Sequence, residues 1–330
     1  MYKITFCLFA IFSFFESSWG QDIHWSQFND NQLFQNPGNA GHFDGDYRFI
    51  GNYRDQWRSV SVPFTTFAVS ADAHRKNIGF GLQIFNDQAG DGKLSTTEVQ
   101  GTLSYLLKFR ETSPHIFRPG ISIGMNHRQV NWDAFTFNSQ FTGYIFDPNA
   151  ASNENFQSSR KTNLNIGIGF IHEWKQNQRI KITSGLGLFN LNQPNQGFYN
   201  EVVKRDQRCN LFSKISIKLY EKWVIIPSLS YTQQGIYREL NFGSSARLNL
   251  GNSDLNKALY FGVWNRNKDA AFVTLGYDYS NLFIGLSYDI NHSKLVPASN
   301  NRGGVEISIR YIINKFKPKK IIHRICPDYI

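Results

Sequence analysis

The chain has 330 residues, is 41% hydrophobic and 15% aromatic, and carries a formal net charge of +10. That length admits two ordinary domains or one large barrel. No apolar run approaches the roughly 18 residues of a transmembrane helix, so any membrane crossing falls to strands.

At the N-terminus, Lys3, the apolar run Ile4 to Phe15 and the triplet Ser18-Trp19-Gly20 read as a secretory signal peptide over residues 1–20, cleaved before Gln21. Cys7 falls inside it, without the small residues that precede a lipidated cysteine. Export argues against a nucleic-acid partner. Residues 21–45 show no long alternation; Pro37 fixes its own backbone, and Gly38 and Gly41 permit positive φ. A short, irregular segment is expected here, periplasmic or plug-like.

From Asp46 onward about fourteen strands are expected, each marked by period-two alternation and bounded by turn residues. They run Asp46 to Arg58, Phe64 to His74, Asn77 to Asn86, Leu94 to Arg110, Ile116 to Asn131, Lys161 to Trp174 and Arg179 to Leu191. Gln207 to Glu221, Trp223 to Gln234, Arg238 to Gly251, Ala258 to Asn267, the hairpin Ala270 to His292 and Gly303 to Ile313 complete the set. In the hairpin, Val273, Leu275, Tyr277 and Tyr279 alternate with Thr274, Gly276 and Asp278 before a turn at Ser280-Asn281. Each arm has the roughly 9 to 11 residues that a tilted membrane strand needs. Lys214, Ser216 and Lys218 share one face of their strand, and lysines at that spacing belong in water.

Connection lengths point the same way. With the first strand starting on the inside, the longest connections, Trp132 to Arg160 and Asn192 to Asp206, both fall outside, while Arg75-Lys76, Lys222 and Ser280-Asn281 fall inside. Outer-membrane barrels keep periplasmic turns short and let surface loops grow. A cylinder of about fourteen strands is also too wide to fill with an apolar core. The expected fold is therefore all-β: a transmembrane antiparallel barrel over 46–313, its apolar face on outer-membrane lipid and its polar face on the lumen. Tyr277, Tyr279, Tyr288 and Tyr311 lie toward strand ends, as an interfacial girdle would. Residues 314–330 form a basic periplasmic tail, either solvated or in contact with headgroups or a partner.

Several motifs are specific. They are Gln21-Asp22, His24-Trp25-Ser26-Gln27-Phe28, Asn36-Pro37-Gly38-Asn39-Ala40-Gly41, Tyr47-Arg48 and the run Asn52 to Val60. Pro63-Phe64-Thr65-Thr66, Ala71-Asp72 and Cys326-Pro327 complete them. On these the chain resembles the PorP/SprF family of outer-membrane proteins linked to type IX secretion and gliding motility. The resemblance implies a non-enzymatic barrel that helps export, or retain at the surface, a secreted cargo protein with a type IX C-terminal signal. It implies partners among the secretion or motility machinery and no cofactor.

Candidate partner or plug contacts are His24, Trp25, Gln27, Phe28, Asn36, Pro37, Arg54, Gln56 and Trp57. Arg48, Arg54 and Arg58 alternate on one strand and are expected to face the lumen, opposite Glu239, Asp278, Asp289 and Glu306, with Arg310 on the last strand. Such a lining suits a packed lumen or a water-filled pore, which leaves a porin or substrate-selective channel as the alternative function. No His-Glu-x-x-His run or cysteine–histidine zinc spacing occurs. His127 or His172 near a serine is all that a hydrolase could draw on. Strand parity sets Cys209 at the outer rim and Cys326 on the periplasmic side, too far apart to bridge.

Overall fold

The computed structural model describes residues 22–58, 62–90, 92–110, 112–143, 145–154, 158–199, 201–251, 257–293 and 296–314. The signal-like stretch 1–20 and the basic tail from Lys315 onward, with Cys326, lie outside these described residues.

The wall is built from β1 (Tyr47–Gln56), β2 (Phe64–Arg75), β3 (Ile78–Ala89), β4 (Leu94–Tyr105) and β5 (His115–Gln129). A small hairpin, β6 (Phe141–Thr142) and β7 (Ile145–Phe146), stands apart from it. The wall resumes with β8 (Arg160–Lys175), β9 (Ile180–Phe189), β10 (Arg208–Lys218), β11 (Trp223–Gln234) and β12 (Tyr237–Asn249). It ends with β13 (Lys257–Arg266), β14 (Ala270–Tyr279), β15 (Leu282–Asn291) and β16 (Arg302–Ile313). Apart from β6 and β7 these are 14 strands, each antiparallel to its neighbours, closed by β1 pairing with β16 from Tyr47↔Ile313 to Asp55↔Val305. Closure leaves no unpaired edge in the wall, the condition for placing a sheet in hydrocarbon.

Side-chain burial is inverted relative to a water-soluble protein. Leu82, Ile123 and Leu275 are about half exposed, at 50%, 56% and 55%, whereas Asn52, Gln83, Ser122 and Glu306 are at 2% or less. The apolar residues form the outer surface and the polar ones pack inside, as a wall against lipid requires.

The ends differ. Connections 76–77, 176–179, 219–222 and 280–281 lie at the end where β1 begins and β16 finishes, and 130–159 and 190–207 lie at the opposite end. Several strands stop earlier than their alternation suggests, β1, β4, β9 and β10 among them. β1 stops at Gln56 because Trp57 takes a left-handed backbone (φ 59°), and Asn190 does the same after β9 (φ 56°). β4 stops at Tyr105, after which Leu107 makes only an isolated bridge to Phe117. β10 stops at Lys218, short of Glu221.

Candidate functional site

Residues 22–46 occupy the lumen. The segment starts beside the long-loop connection 190–207 and descends through the barrel to enter β1 at the short-turn end. Its regular structure is limited to single turns at Phe28–Asp30, Gln32–Gln35 and Pro37–Asn39. Backbone polar groups in so irregular a piece need partners elsewhere, and the wall supplies them.

At the long-loop mouth, Arg205 donates to Asp22 at 2.9 Å and to Glu98 at 2.9 Å, and Arg208 lies 3.5 Å from Asp22. The Asp22 N–H donates to Gln234 Oε1 at 2.7 Å. Burial alone would raise the Asp22 carboxyl, but Arg205 and Arg208 hold it below the usual carboxylate value. Next, His24 is held well below its ordinary value by burial and by the nearby Arg266 and Arg54. Its 3.6 Å contact with Glu239 therefore joins a neutral ring to a carboxylate, not an ion pair. Trp25 is buried against Ala68 and Phe85.

The densest contacts cross the seam between β1 and β16. The N–H groups of Ser26 and Gln27 donate to the two oxygens of Glu306 at 2.8 and 2.9 Å. Arg54 donates to Glu306 at 2.9 Å and to Asp289 at 2.8 Å. Ser26 Oγ donates to Asp289 at 2.7 Å and accepts from Arg266 at 2.8 Å. Ser308 Oγ donates to Gln27 Oε1 at 2.6 Å, and Gln27 Nε2 donates to the Glu306 carbonyl at 3.0 Å. Buried charges persist only when so paired and hydrogen-bonded. Below them Phe28 meets Trp264 edge-on at 5.3 Å, and Arg310 reaches Asp30 at 3.0 Å and Asp278 at 3.5 Å.

Midway down, the wall is hollowed by glycine. A Cβ on Gly169 would sit 2.2 Å from Asn36 Oδ1 and 2.6 Å from Pro37 Cδ, and one on Gly120 would sit 2.5 Å from the Pro37 carbonyl carbon. Asn36 fixes this turn by accepting from the Gly38 N–H at 2.8 Å and donating to the Phe170 carbonyl at 3.2 Å. The Ala40 carbonyl accepts from Ser104 at 2.6 Å and Arg118 at 2.8 Å. At the short-turn mouth, Asp72 accepts from Arg48 at 2.8 and 2.7 Å and from the Gly41 N–H at 2.7 Å. His42 meets Glu173 at 2.9 Å, although burial keeps its ring below the ordinary imidazole value against the pull of that carboxylate.

Of the sequence-predicted residues, the structure gathers His24, Gln27, Arg54, Asp289 and Glu306 into the seam network and places Trp25, Phe28, Asn36 and Pro37 against the wall. Gln56 lies beside the same network, 3.2 Å from His24. Trp57 packs on Phe64 with ring centroids 4.6 Å apart. Arg58 departs from its expected place: its side chain is 75% exposed and pairs with Asp55 outside the lumen. The left-handed Trp57 ends the alternation that would have turned it inward. Asp22 and Asp72 stand out in the sequence only as members of the family motifs, and no sequence motif marks Glu98, Arg205 or Arg266 as lumen contacts. Strand parity puts Asp72, Glu98 and Arg266 on the lumen face, whereas Arg205 sits in a connection where no periodicity exists. Cys209 is free. No group of three or more His, Cys, Asp or Glu side chains among the described residues could hold a metal ion.

Comparison with known proteins adds a family and a fold. The family described as "Type IX secretion system membrane protein PorP/SprF" matches residues 17–311. No curated protein matches the chain. Similar solved structures include the Ralstonia pickettii toluene transporter TbuX, at 10% identity over 86% of this chain and 94% of that one, with a TM-score of 0.54. The Pseudomonas putida toluene transporter TodX is 10% identical over 88% of this chain and 94% of that one, with a TM-score of 0.52. At such identities the likeness is one of barrel architecture.

Proposed function

We propose, from the fact that the chain belongs to the PorP/SprF family of type IX secretion system membrane proteins, that it assists export or surface anchoring of one cognate secreted protein. The cargo is adhesin-like and carries a type IX C-terminal signal. Contact with it is made through the long connections, above all 130–159.

The observation that supports this reading is what those connections carry. Trp132 lies 5.9 Å from Phe198 and 6.0 Å from Tyr199, which joins the two longest connections through one aromatic cluster. Phe141, Ile145, Val202 and Val203 are exposed nearby in sequence at 45%, 73%, 73% and 47%. Exposed apolar and aromatic groups above a mouth already filled by residues 22–28 suit protein binding better than solute passage.

The test is removal of residues 135–150 from the chromosomal copy, with barrel assembly confirmed by heat-modifiable migration. Loss of the cargo from the cell surface is the expected result. Unchanged export and surface retention of every type IX cargo by an assembled, loop-deleted barrel would refute the reading.

A further inference from the structure

The short-turn mouth opens into a cavity of about 570 Å³ whose described lining holds eight lysine and arginine side chains against two carboxylates, Asp44 and Glu173. Some of that positive charge is spent internally. Arg48 is neutralised by Asp72, Lys175 and Lys181 share Glu173 at 3.5 and 3.8 Å, and Arg310 is taken by Asp30 and Asp278. What remains is a surplus. Arg118 donates to neutral oxygens, those of Ala40 and Ser104, and Lys76, Lys108 and Lys214 also face this space.

These four cations do not converge on a point. Lys76 stands in the β2–β3 turn and Lys108 in the β4–β5 connection, both exposed at the rim, while Arg118 on β5 and Lys214 on β10 lie deeper. A single phosphate is best held by donors that close around it. Cations staggered from rim to interior match a chain carrying carboxylates at intervals. A low-dielectric wall also focuses such a field toward the opening.

We propose that this vestibule is a docking site for an acidic peptide segment of a protein partner on the periplasmic side. The site is separate from the cargo-binding loops at the other end of the barrel and stands whether or not those loops bind cargo.

The experiment uses the full-length barrel purified in detergent and a fluorescently labelled oligoglutamate, with the matching oligoglutamine as the neutral control. Saturable binding of the acidic peptide alone is expected, weakened by added salt as exposed charge pairs are screened. The triple variant Lys76→Gln, Lys108→Gln, Lys214→Gln should weaken it by about tenfold or more. Arg75→Gln, adjacent to Lys76 but outside the cavity lining, should leave it intact. Absence of binding to the wild-type barrel, equal binding by the triple variant, or equal weakening by Arg75→Gln overturns the proposal. Displacement by inorganic phosphate beyond that caused by sodium chloride at equal ionic strength would assign the site to small anions and overturn it too. Heat-modifiable migration of each variant separates lost binding from lost folding.

Discussion

Arg54 on β1 and Glu306 on β16 are register partners across the seam that closes the barrel, and their side chains meet at 2.9 Å. Glu306 also accepts the N–H groups of Ser26 and Gln27. Glu306→Ala should therefore leave a buried guanidinium and two buried donors short of an acceptor, a destabilisation of about 3–5 kcal/mol by analogy with broken buried pairs. The temperature at which the folded band disappears in a semi-native gel should fall. The conservative Glu306→Gln should lower it less, because its amide oxygen can still accept from one of these donors while Arg54 keeps Asp289 at 2.8 Å. A Glu306→Ala barrel melting with the wild type would count against the network.

Steric fit at the waist is testable separately. Gly169→Val places carbon where Asn36 and Pro37 now lie. Overpacking of this kind costs about 1–3 kcal/mol. The expected signature is a folded barrel whose residues 30–42 become sensitive to protease and exchange amide hydrogens faster. A segment still protected in that variant would mean that the waist tolerates the added volume.

Arg48 and Arg58 offer a contrast between a buried and an exposed cation from one motif. Arg48 is at 1% exposure and bonded to Asp72, whereas the Arg58 side chain is 75% exposed. Arg48→Ala should lower the unfolding temperature markedly, and Arg58→Ala should leave it unchanged. Equal effects would return Arg58 to the lumen.

Acidification should loosen the segment. The His24 and His42 rings titrate below their ordinary value of 6.5 in the folded state. Protons therefore bind more tightly to the released segment, so docking is complete above about pH 6.5 and weakens as pH falls toward the depressed values. Asp22, also depressed from 3.8, adds a further loss when its carboxylate protonates at still lower pH. Protection factors of residues 22–46, taken from hydrogen exchange between pH 8 and 5 with the intrinsic pH dependence of amide exchange divided out, should fall on the acid side. His24→Asn with His42→Asn should flatten that dependence, and an unchanged slope would place its origin elsewhere.

A filled lumen should also be electrically quiet. Planar-bilayer recordings of the intact barrel should show little conductance, and deletion of residues 22–41 should produce a stable open channel. A large steady conductance from the intact chain would favour the porin alternative.

The wall was legible because a half-buried strand writes its two faces into every second residue. Leu275 against Asp278, or Ile307 against Glu306, shows which side meets lipid once closure is assumed. The lumen residues on strands follow from that same parity, including Glu98 and Arg266. The path of residues 22–46 was not legible, since Asn36-Pro37-Gly38 announces a compact turn but carries no period that could say what it touches. Arg205 and Arg58 show the limit from both directions: one reaches the lumen from a connection, the other leaves the lumen where Trp57 breaks the alternation. The glycines at 120 and 169 sit on lumen-facing positions, yet only the assembled barrel reveals that they make room for a passing chain.

A segment that runs from Asp22 at one mouth to Tyr47 at the other is a thread through a closed ring. The order of assembly is constrained accordingly. If β16 zipped onto β1 before residues 22–46 were inside, the segment would have to be reeled lengthwise through a finished pore past Glu306 and the waist at Gly169. Wrapping would avoid this: the early residues would lie along β1 and β2 while the sheet is still open, and the last strand would bring Glu306 to Ser26 and Gln27 already in place. The thread would then act as the mandrel on which the cylinder is rolled, and its seam contacts would tell the final strand where to stop sliding.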